Sequence, residues 1–168
     1  MLSHYDNATL YNDSIVAQIV KRFQKEDAVV IYVPDHGEEC YEEDRGFICR
    51  NHSANIDWPL AHYEFEIPFW IYCSPKYIRN HRDIYRQIRK AKDKRFMTDA
   101  LPHLLLYLAG IETPTYKEEY NILSPKYNEM RPRILKNSAD YDQLRDEHLE
   151  KVEKEKSKKK KSKKGDKK

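Results

Sequence analysis

Long apolar runs are missing from this sequence of 168 residues. No stretch approaches about 18 consecutive apolar residues, so the sequence predicts no membrane-spanning helix. The first residues, MLSHYDNATLYNDS, contain neither the basic segment nor the apolar segment of a secretory signal peptide. We therefore expect this chain, as written, to carry neither a membrane anchor nor an export signal.

Cysteine is scarce, with three residues at positions 40, 49 and 73. Cys40 and Cys49 bracket the polar segment YEEDRGFI, which they could close as a disulfide in an oxidising compartment. They could equally be free thiols, and their spacing leaves both alternatives open. It is not the C-x-x-C spacing of structural zinc sites, which argues against a zinc site built from cysteines.

Signatures of nucleic-acid binding are also absent: the sequence has no helix-turn-helix, zinc-finger or aromatic RNA-binding motif. Its net charge is +3, from 31 Lys and Arg against 28 Asp and Glu. Residues 151–168 hold eleven Lys and three acidic residues, a net charge of +8, which leaves −5 for residues 1–150. We therefore expect no nucleic-acid partner for the folded part of the chain.

The Lys-rich segment at residues 151–168 reads KVEKEKSKKKKSKKGDKK. It has too few apolar residues to bury a core, so we expect it to be disordered. Its charge could attract anionic lipid or nucleic acid, or it could simply increase solubility. The sequence does not decide between these roles.

Hydrophobic periodicity predicts helices that alternate with strands. We expect helices over residues 7–24, 78–91, 98–109 and 140–156, and strands over residues 28–33 and 68–73. The run AVVIYV at 28–33 is apolar on both faces, which favours a central parallel strand covered on both sides. Thr98 is a plausible N-cap, and Gly110 a plausible stop, for the third helix. Helices that alternate with buried strands are typical of the α/β class.

Two residues with metal-binding side chains, Asp35 and His36, follow the first predicted strand, and Gly37 comes directly after them. In open α/β sheets, ligands bind beyond the carboxyl ends of the strands. A carboxylate oxygen and an imidazole nitrogen together suit Zn²⁺, and the glycine lets the chain turn away from them. On these residues alone, Asp35 could instead cap a turn and His36 could be an ordinary loop residue.

Several segments, in one order along the chain, carry a family resemblance. DAVVIYVPDHGE resembles the DHGE segment of the alkaline phosphatase and sulfatase superfamily, and most of all that of the membrane-bound phosphoethanolamine transferases. YDNATLYNDSIVAQIVKRF looks like the helix before that family's metal strand, and RNHS looks like its later histidine segment. AHYEFEIPFWIYCS resembles the next strand, and FMTDALPHLLLYLAGIETPTYKEEYNILSPKYN the closing helix and its Asn-Ile-Leu-Ser tail. The likeness covers residues 4–128.

The resemblance implies an α/β fold with a partial sulfatase-like sheet flanked by helices and followed by a disordered basic tail. It assigns residues 1–130 to the C-terminal portion of a sulfatase-like catalytic domain, and the charge pattern assigns 131–150 to a charged helical extension and 151–168 to the disordered Lys-rich tail.

The resemblance also implies site residues and a cofactor. Asp35 and His36 would bind the catalytic zinc, and His52 would lie near the substrate phosphate or a second metal. Glu38 would orient the turn. His52 is followed here by Ser, where many relatives have Gly, so the local turn departs from the family pattern.

The family reaction implied by the resemblance is a two-step transfer. A zinc-activated Thr attacks phosphatidylethanolamine, and the phosphoethanolamine group then passes to lipid A or a related glycan. In the family, that Thr and an acidic zinc ligand lie upstream, behind transmembrane helices in the bacterial inner membrane, and the catalytic domain is periplasmic. Thr9 and Thr98 do not match the position of the Thr nucleophile, and neither do Thr113 and Thr115. We therefore expect this chain to be inactive alone.

Three hypotheses stay open on the sequence. The chain is the C-terminal part of a phosphoethanolamine transferase, or it belongs to a sulfatase- or phosphatase-like hydrolase that transfers to water. The third is a non-catalytic module that pairs with a separately encoded N-terminal half. Among the other histidines, His62 is expected at the surface or a strand edge rather than at the site, and His103 in a packed, hydrogen-bonded position.

Overall fold

The predicted alternation of helices and strands is present in the structure, which is a computed structural model that describes residues 2–42, 48–49 and 55–165. The helices are α1 (Leu2–Phe23), α2 (Trp58–Phe65), α3 (Pro75–Asn80), α4 (Arg82–Ala91), α5 (Leu101–Ala109) and α6 (Tyr141–Gly165). The strands are β1 (Val29–Tyr32), β2 (Glu39–Cys40), β3 (Ile48–Cys49), β4 (Trp70–Cys73), β5 (Ile134–Leu135) and β6 (Ala139–Asp140). The mixed helix and sheet content agrees with the predicted α/β class.

These elements form two units, and each unit is discontinuous in sequence. The first unit comprises residues 1–34 and 68–131, and the second comprises residues 35–67 and 132–168. The domain division expected from the sequence, at residues 130 and 150, stays a prediction.

In the first unit, strands β1 and β4 pair to form a two-stranded antiparallel sheet. Val29 lies opposite Cys73 and Tyr32 opposite Trp70, and the rings of that second pair stack with centroids 5.2 Å apart. The expectation that β1 would be a covered parallel strand is wrong for the strands described. Sheets of the α/β class can contain an antiparallel pair of strands. An apolar run in the sequence therefore does not determine the direction in which the strand pairs.

Ser74 forms hydrogen bonds both with the segment that precedes β1 and with the first turn of helix α3. Its side chain is buried, and its hydroxyl donates to the carbonyl of Glu26 at 2.6 Å. The same oxygen accepts from the backbone N–H groups of Tyr77 at 3.1 Å and Ala28 at 3.3 Å. The bond from Tyr77 is the N-cap of α3. One hydroxyl therefore holds both the residues before β1 and the start of α3.

The core of the first unit lies among α4, α5 and the segment that follows them. Its buried residues are Ala91, Leu104, Ile122 and Leu123. The single helix predicted over 78–91 is instead two helices, because the backbone at His81 leaves the helical region with φ −126° and ψ 51°.

Helix α5 confirms one predicted boundary and corrects the other. Gly110 ends the helix in the left-handed conformation at φ 66°, where a glycine avoids the strain of a side chain. Thr98 was expected to cap the helix, but it opens a 3-10 turn, Thr98–Ala100, and no side-chain cap bond forms there. The α-helix proper starts three residues later, with Pro102 in its first turn.

The second unit is built from α2, the start of α6 and two short hairpins. The hairpins pair β2 with β3 and β5 with β6. Ala61, Leu135 and Tyr141 form its buried core, with Trp58 and Phe65 packed against them. Cys40 lies on β2 and Cys49 on β3, and a disulfide between them stays a prediction.

Helix α6 begins where the charged helical extension was expected and continues to Gly165, inside the Lys-rich segment. A helix without packing partners is marginal in water, so the disorder expected for residues 151–168 in solution stays a prediction. None of the helices in the described part of the chain is long and apolar enough to cross a bilayer.

Candidate metal site

The short helix α2 determines the surroundings of the candidate ligands. Asp57 is its N-cap and accepts a hydrogen bond from the backbone N–H of Leu60 at 3.0 Å, with Pro59 in the first turn. Leu60 and Ala61 are fully buried and hold the helix in the second unit. The strand predicted over 68–73 is confirmed as β4, and the residues before it form a helix that was not predicted, because the cap and the proline start it.

Gly37 packs directly against the last turn of α2. Its backbone N–H donates to the carbonyl oxygen of Glu64 at 2.9 Å. A Cβ atom at this position would lie 2.1 Å from the carbonyl oxygen of Tyr63, a backbone atom that has little freedom to move. Only glycine permits this approach, and it fixes the place where the chain leaves Asp35 and His36.

The atoms of Asp35 and His36 that could bind a metal lie close to each other. The Asp35 Oδ2 and His36 Nε2 atoms are 3.7 Å apart, and the Asp35 Oδ1 atom accepts from the backbone N–H of His36 at 3.1 Å. The Asp35 side chain is 89% exposed and that of His36 is 26% exposed. On its other side, His36 Nδ1 lies 2.7 Å from the carbonyl oxygen of Gly37. A carbonyl can only accept, so Nδ1 is the donor, and in a neutral imidazole Nε2 is then the nitrogen with a lone pair for a metal.

This geometry fits two ligands of one zinc ion. Zinc binds nitrogen and oxygen at about 2.0–2.2 Å, so two tetrahedral ligands lie roughly 3.4 Å apart, close to the separation of the two donor atoms. A ring N–H that donates to a backbone carbonyl is the usual support of a zinc-bound histidine. Two donors are fewer than the three or four that zinc needs, and no cluster of three such side chains occurs in residues 2–42, 48–49 and 55–165.

The remaining predicted residues lie in different settings. His52 is outside the residues that the structure describes. Glu38 is exposed, whereas the neighbouring Glu39 is buried, and the role of Glu38 in orienting the turn stays a prediction. His62 is half-exposed on α2, and His103 is half-buried and accepts from the backbone N–H of Lys117 at 3.2 Å.

Sequence reasoning missed a polar network that joins α2 to α6. The hydroxyl of Tyr141 donates to Glu66 Oε1, and His62 Nδ1 lies 3.0 Å from the same oxygen. Burial acts to raise the pKa of Glu66, but the hydrogen bonds from Tyr141 and His62 outweigh it and lower that pKa below its ordinary value. Burial and the bond to Glu66 raise the pKa of Tyr141 to about 12.

Charged and aromatic side chains support this network. The Arg133 guanidinium lies 4.3 Å from the centre of the Tyr141 ring and binds Asp142 through two nitrogens, at 2.5 and 3.2 Å. Trp58 stacks on His62 and on His148, with centroids 5.6 and 5.2 Å apart. No sequence motif marks this cluster; the Trp58 and His62 spacing of one helical turn is its only signal.

Comparison with known proteins identifies the class. The sulfatase family model matches residues 1–111, and the chain belongs to the sulfatase family. Within it, the chain is 32% identical over 148 residues to phosphoethanolamine transferase EptC of Escherichia coli (strain K12). It is 29% identical over 98 residues to the Kdo(2)-lipid A phosphoethanolamine 7''-transferase of the same strain. The resemblance to the phosphoethanolamine transferases is therefore confirmed.

A solved structure has the same fold over most of the chain. The crystal structure of the C-terminal periplasmic domain of E. coli EptC superposes with a TM-score of 0.66 at 31% identity. The same domain has been solved in complex with zinc. The match covers 83% of this chain and 40% of that domain. The chain spans about a quarter of the length of EptC and a sixth of the lipid A transferase, at 24% and 16%.

Proposed function

We propose that this chain supplies part of a zinc-dependent catalytic domain that transfers phosphoethanolamine from phosphatidylethanolamine to lipid A or a related glycan. The observation that carries the proposal is the pairing of Asp35 Oδ2 with His36 Nε2 at 3.7 Å, with the imidazole oriented by Gly37. The names of the relatives support the transferred group and the acceptor, and the zinc complex of the EptC domain supports the metal.

Asp35 and His36 are the residues that would hold the metal. Bound zinc lowers the pKa of an attacking hydroxyl and offsets negative charge on phosphoryl oxygens. His52 is proposed to donate a hydrogen bond to the substrate phosphate. The further zinc ligands and the Thr nucleophile would come from the part of the domain that has no counterpart in this chain, on the periplasmic side of the inner membrane.

An assay of phosphoethanolamine transfer tests the proposal. The chimeric domain is defined as the E. coli EptC periplasmic domain in which this chain replaces the part that it matches. We expect transfer from a phosphatidylethanolamine analogue by the chimeric domain and none by this chain alone, which lacks the nucleophile. Turnover by the isolated chain, or a folded, zinc-loaded chimeric domain without activity, would contradict the proposal.

A hydrolase is the second candidate, and the match to the sulfatase family model favours it. The two reactions share their metal chemistry and differ in the final acceptor, which is water in the hydrolase. The same assay separates them through its products. Free phosphoethanolamine in the presence of lipid A would indicate hydrolysis, whereas modified lipid A indicates transfer.

A further inference from the structure

The first unit contains a cavity of about 270 Å³, lined by residues of α4, of α5 and of the segment that follows α5. This volume is close to the lower limit of about 300 Å³ that is usual for small-ligand sites. The polar side chains used below belong to Gln87, Tyr107, Tyr116, Glu118, Asn121 and Lys126. The cavity is called the tyrosine pocket.

A buried amide fixes the position of Tyr116 in the tyrosine pocket. Asn121 is fully buried, and its Nδ2 group donates to the Tyr116 hydroxyl at 2.9 Å. The Oδ1 atom of Asn121 accepts from the backbone N–H of Leu123 at 3.1 Å, so both ends of the amide are bonded. Because the Tyr116 hydroxyl accepts this bond, its own proton stays available for a further hydrogen bond.

The side chain of Gln87 is oriented in a similar way. Its Oε1 atom accepts from the Tyr107 hydroxyl at 2.8 Å. Within residues 2–42, 48–49 and 55–165, its Nε2 group makes no hydrogen bond to the protein, although the side chain is half-buried. The tyrosine pocket therefore offers two donors, on Gln87 and Tyr116, that are already oriented before a ligand binds.

Two opposite charges lie at the exposed part of the tyrosine pocket. The Lys126 Nζ and Glu118 Oε2 atoms are 2.7 Å apart, and the two side chains are 76% and 47% exposed. The pair adds carboxylate acceptors to the pocket but leaves its formal charge at zero. A pocket without net charge gives no Coulomb attraction to an anion or a cation, which favours a neutral ligand.

The rest of the lining is apolar and includes the rings of Tyr107 and Tyr116 with Leu123 and Pro125. A complementary ligand therefore has an apolar face and edge groups that both donate and accept hydrogen bonds. A sugar ring has both features, because its faces carry C–H groups and its edge carries hydroxyls. A flat aromatic ligand would cover the apolar surface but leave the donors and the carboxylate unpaired.

We propose that the tyrosine pocket binds a neutral sugar ring. The ring contacts the two tyrosine rings, accepts hydrogen bonds from Gln87 and Tyr116, and donates one to Glu118. This site goes beyond the proposed transfer reaction, because none of its residues is a proposed zinc ligand. Binding of the sugar needs neither zinc nor the Thr nucleophile, so the site can exist where the transfer reaction fails.

Saturation-transfer NMR with defined probes tests the site, on this chain and on the chimeric domain. The probes are D-glucose, D-galactose and D-mannose. Inorganic phosphate and indole are the comparison compounds, an anion and a flat aromatic molecule. We expect saturable binding of at least one sugar and none of phosphate or indole. Binding of phosphate or indole alone, or of none of the five compounds, would overturn the proposal.

Two substitutions locate the binding in the tyrosine pocket. Gln87→Glu keeps the acceptor for Tyr107 and removes the Nε2 donors, and Tyr116→Phe removes the second donor. Each should weaken the affinity for the sugar about fivefold, the effect of one hydrogen bond.

The matched controls are Gln24→Glu and Tyr85→Phe, which make the same changes at residues that do not line the pocket. They should leave the affinity unchanged. Since loss of its partner for Asn121 can destabilise the Tyr116 variant, the Gln87 variant gives the independent readout. Sugar affinity that is unaltered in the Gln87 variant, or lowered equally in the controls, would contradict the proposed site.

Discussion

At the residue scale, the proposed metal site depends on the orientation of one imidazole, that of His36. The Nδ1–H group of His36 donates to the Gly37 carbonyl, so the opposite nitrogen is the one that lies beside the Asp35 carboxylate. A histidine free to rotate would lose rotational freedom on binding a metal. The backbone of Gly37 thus pre-orients His36, one of the two proposed ligands, and the position of that backbone depends on the close approach of Gly37 to α2.

Substitution of Gly37 by Ala tests this close approach. The added methyl carbon would lie 2.1 Å from the Tyr63 carbonyl oxygen, so either the turn or the end of α2 must shift. We expect a loss of about 2–3 kcal/mol in the free energy of unfolding, in the range of overpacked sites. Urea unfolding followed by tryptophan fluorescence measures this loss.

Gly110→Ala is the control for the change of glycine to alanine. A Cβ atom there meets nothing within 4 Å, but the residue has φ +66°. Its cost is therefore the backbone strain alone, about 1 kcal/mol. A loss at Gly37 no larger than the loss at Gly110 would show that Gly37 is not confined by α2.

The residue types of the proposed site were suggested by the sequence, and that assignment stays a prediction, but the contacts that support these residues could not be predicted. A carboxylate and an imidazole after an apolar strand indicate zinc chemistry without any structure. The sequence suggested that Gly37 serves a turn, whereas the structure gives a steric reason, contact with Tyr63. That contact joins residues 26 positions apart, and no local pattern reports it.

At the element scale, helix α2 shows where pattern reading failed. Its apolar residues Leu60, Ala61 and Phe65 lack the clear periodicity that identified α1 and α5. The signals that could have found it are local: Asp57 as N-cap and Pro59 in the first turn. Neither led to a predicted helix, because an eight-residue helix gives too few turns for a periodic pattern.

The attachment of α6 to α2 has a pH dependence that can be measured. The pKa of Tyr141 is raised from 10.0 to about 12 in the folded chain. The unfolded chain ionises first as the pH rises, so the stability contributed by this hydroxyl is complete below pH 10. It is lost progressively as the pH rises to about 12, where the folded chain also ionises.

Tyr141→Phe isolates this contribution, because the ring stays between Arg133 and Trp58 while the bond to Glu66 is removed. We expect the variant to be about 1 kcal/mol less stable at neutral pH, the size of one hydrogen bond. The difference from the unmodified chain should shrink above pH 10. Urea unfolding of both proteins at pH 8, 10 and 11.5 measures this difference in stability. A difference that does not change with pH would refute the assigned role of the Tyr141 hydroxyl.

At the scale of the whole molecule, the order of segments was predictable and their grouping was not. The family order of helix, metal segment, strand and closing helix is read from local sequence, and the match to EptC covers 83% of the chain. The two units are discontinuous, and residues 132–168 group with residues 35–67 through contacts such as Tyr141 with Glu66. Contacts between distant segments depend on packing, which the local sequence does not encode.

The metal content of the chimeric domain tests the central claim most directly. One zinc ion per molecule is expected, and Asp35→Ala or His36→Ala should each weaken its affinity by at least about 100-fold, since loss of a supporting contact alone costs about 10–100-fold. His62→Ala, on the neighbouring helix, is the control and should leave the affinity unchanged. Unaltered zinc affinity in both the Asp35 and the His36 variants would contradict the assignment of the metal site.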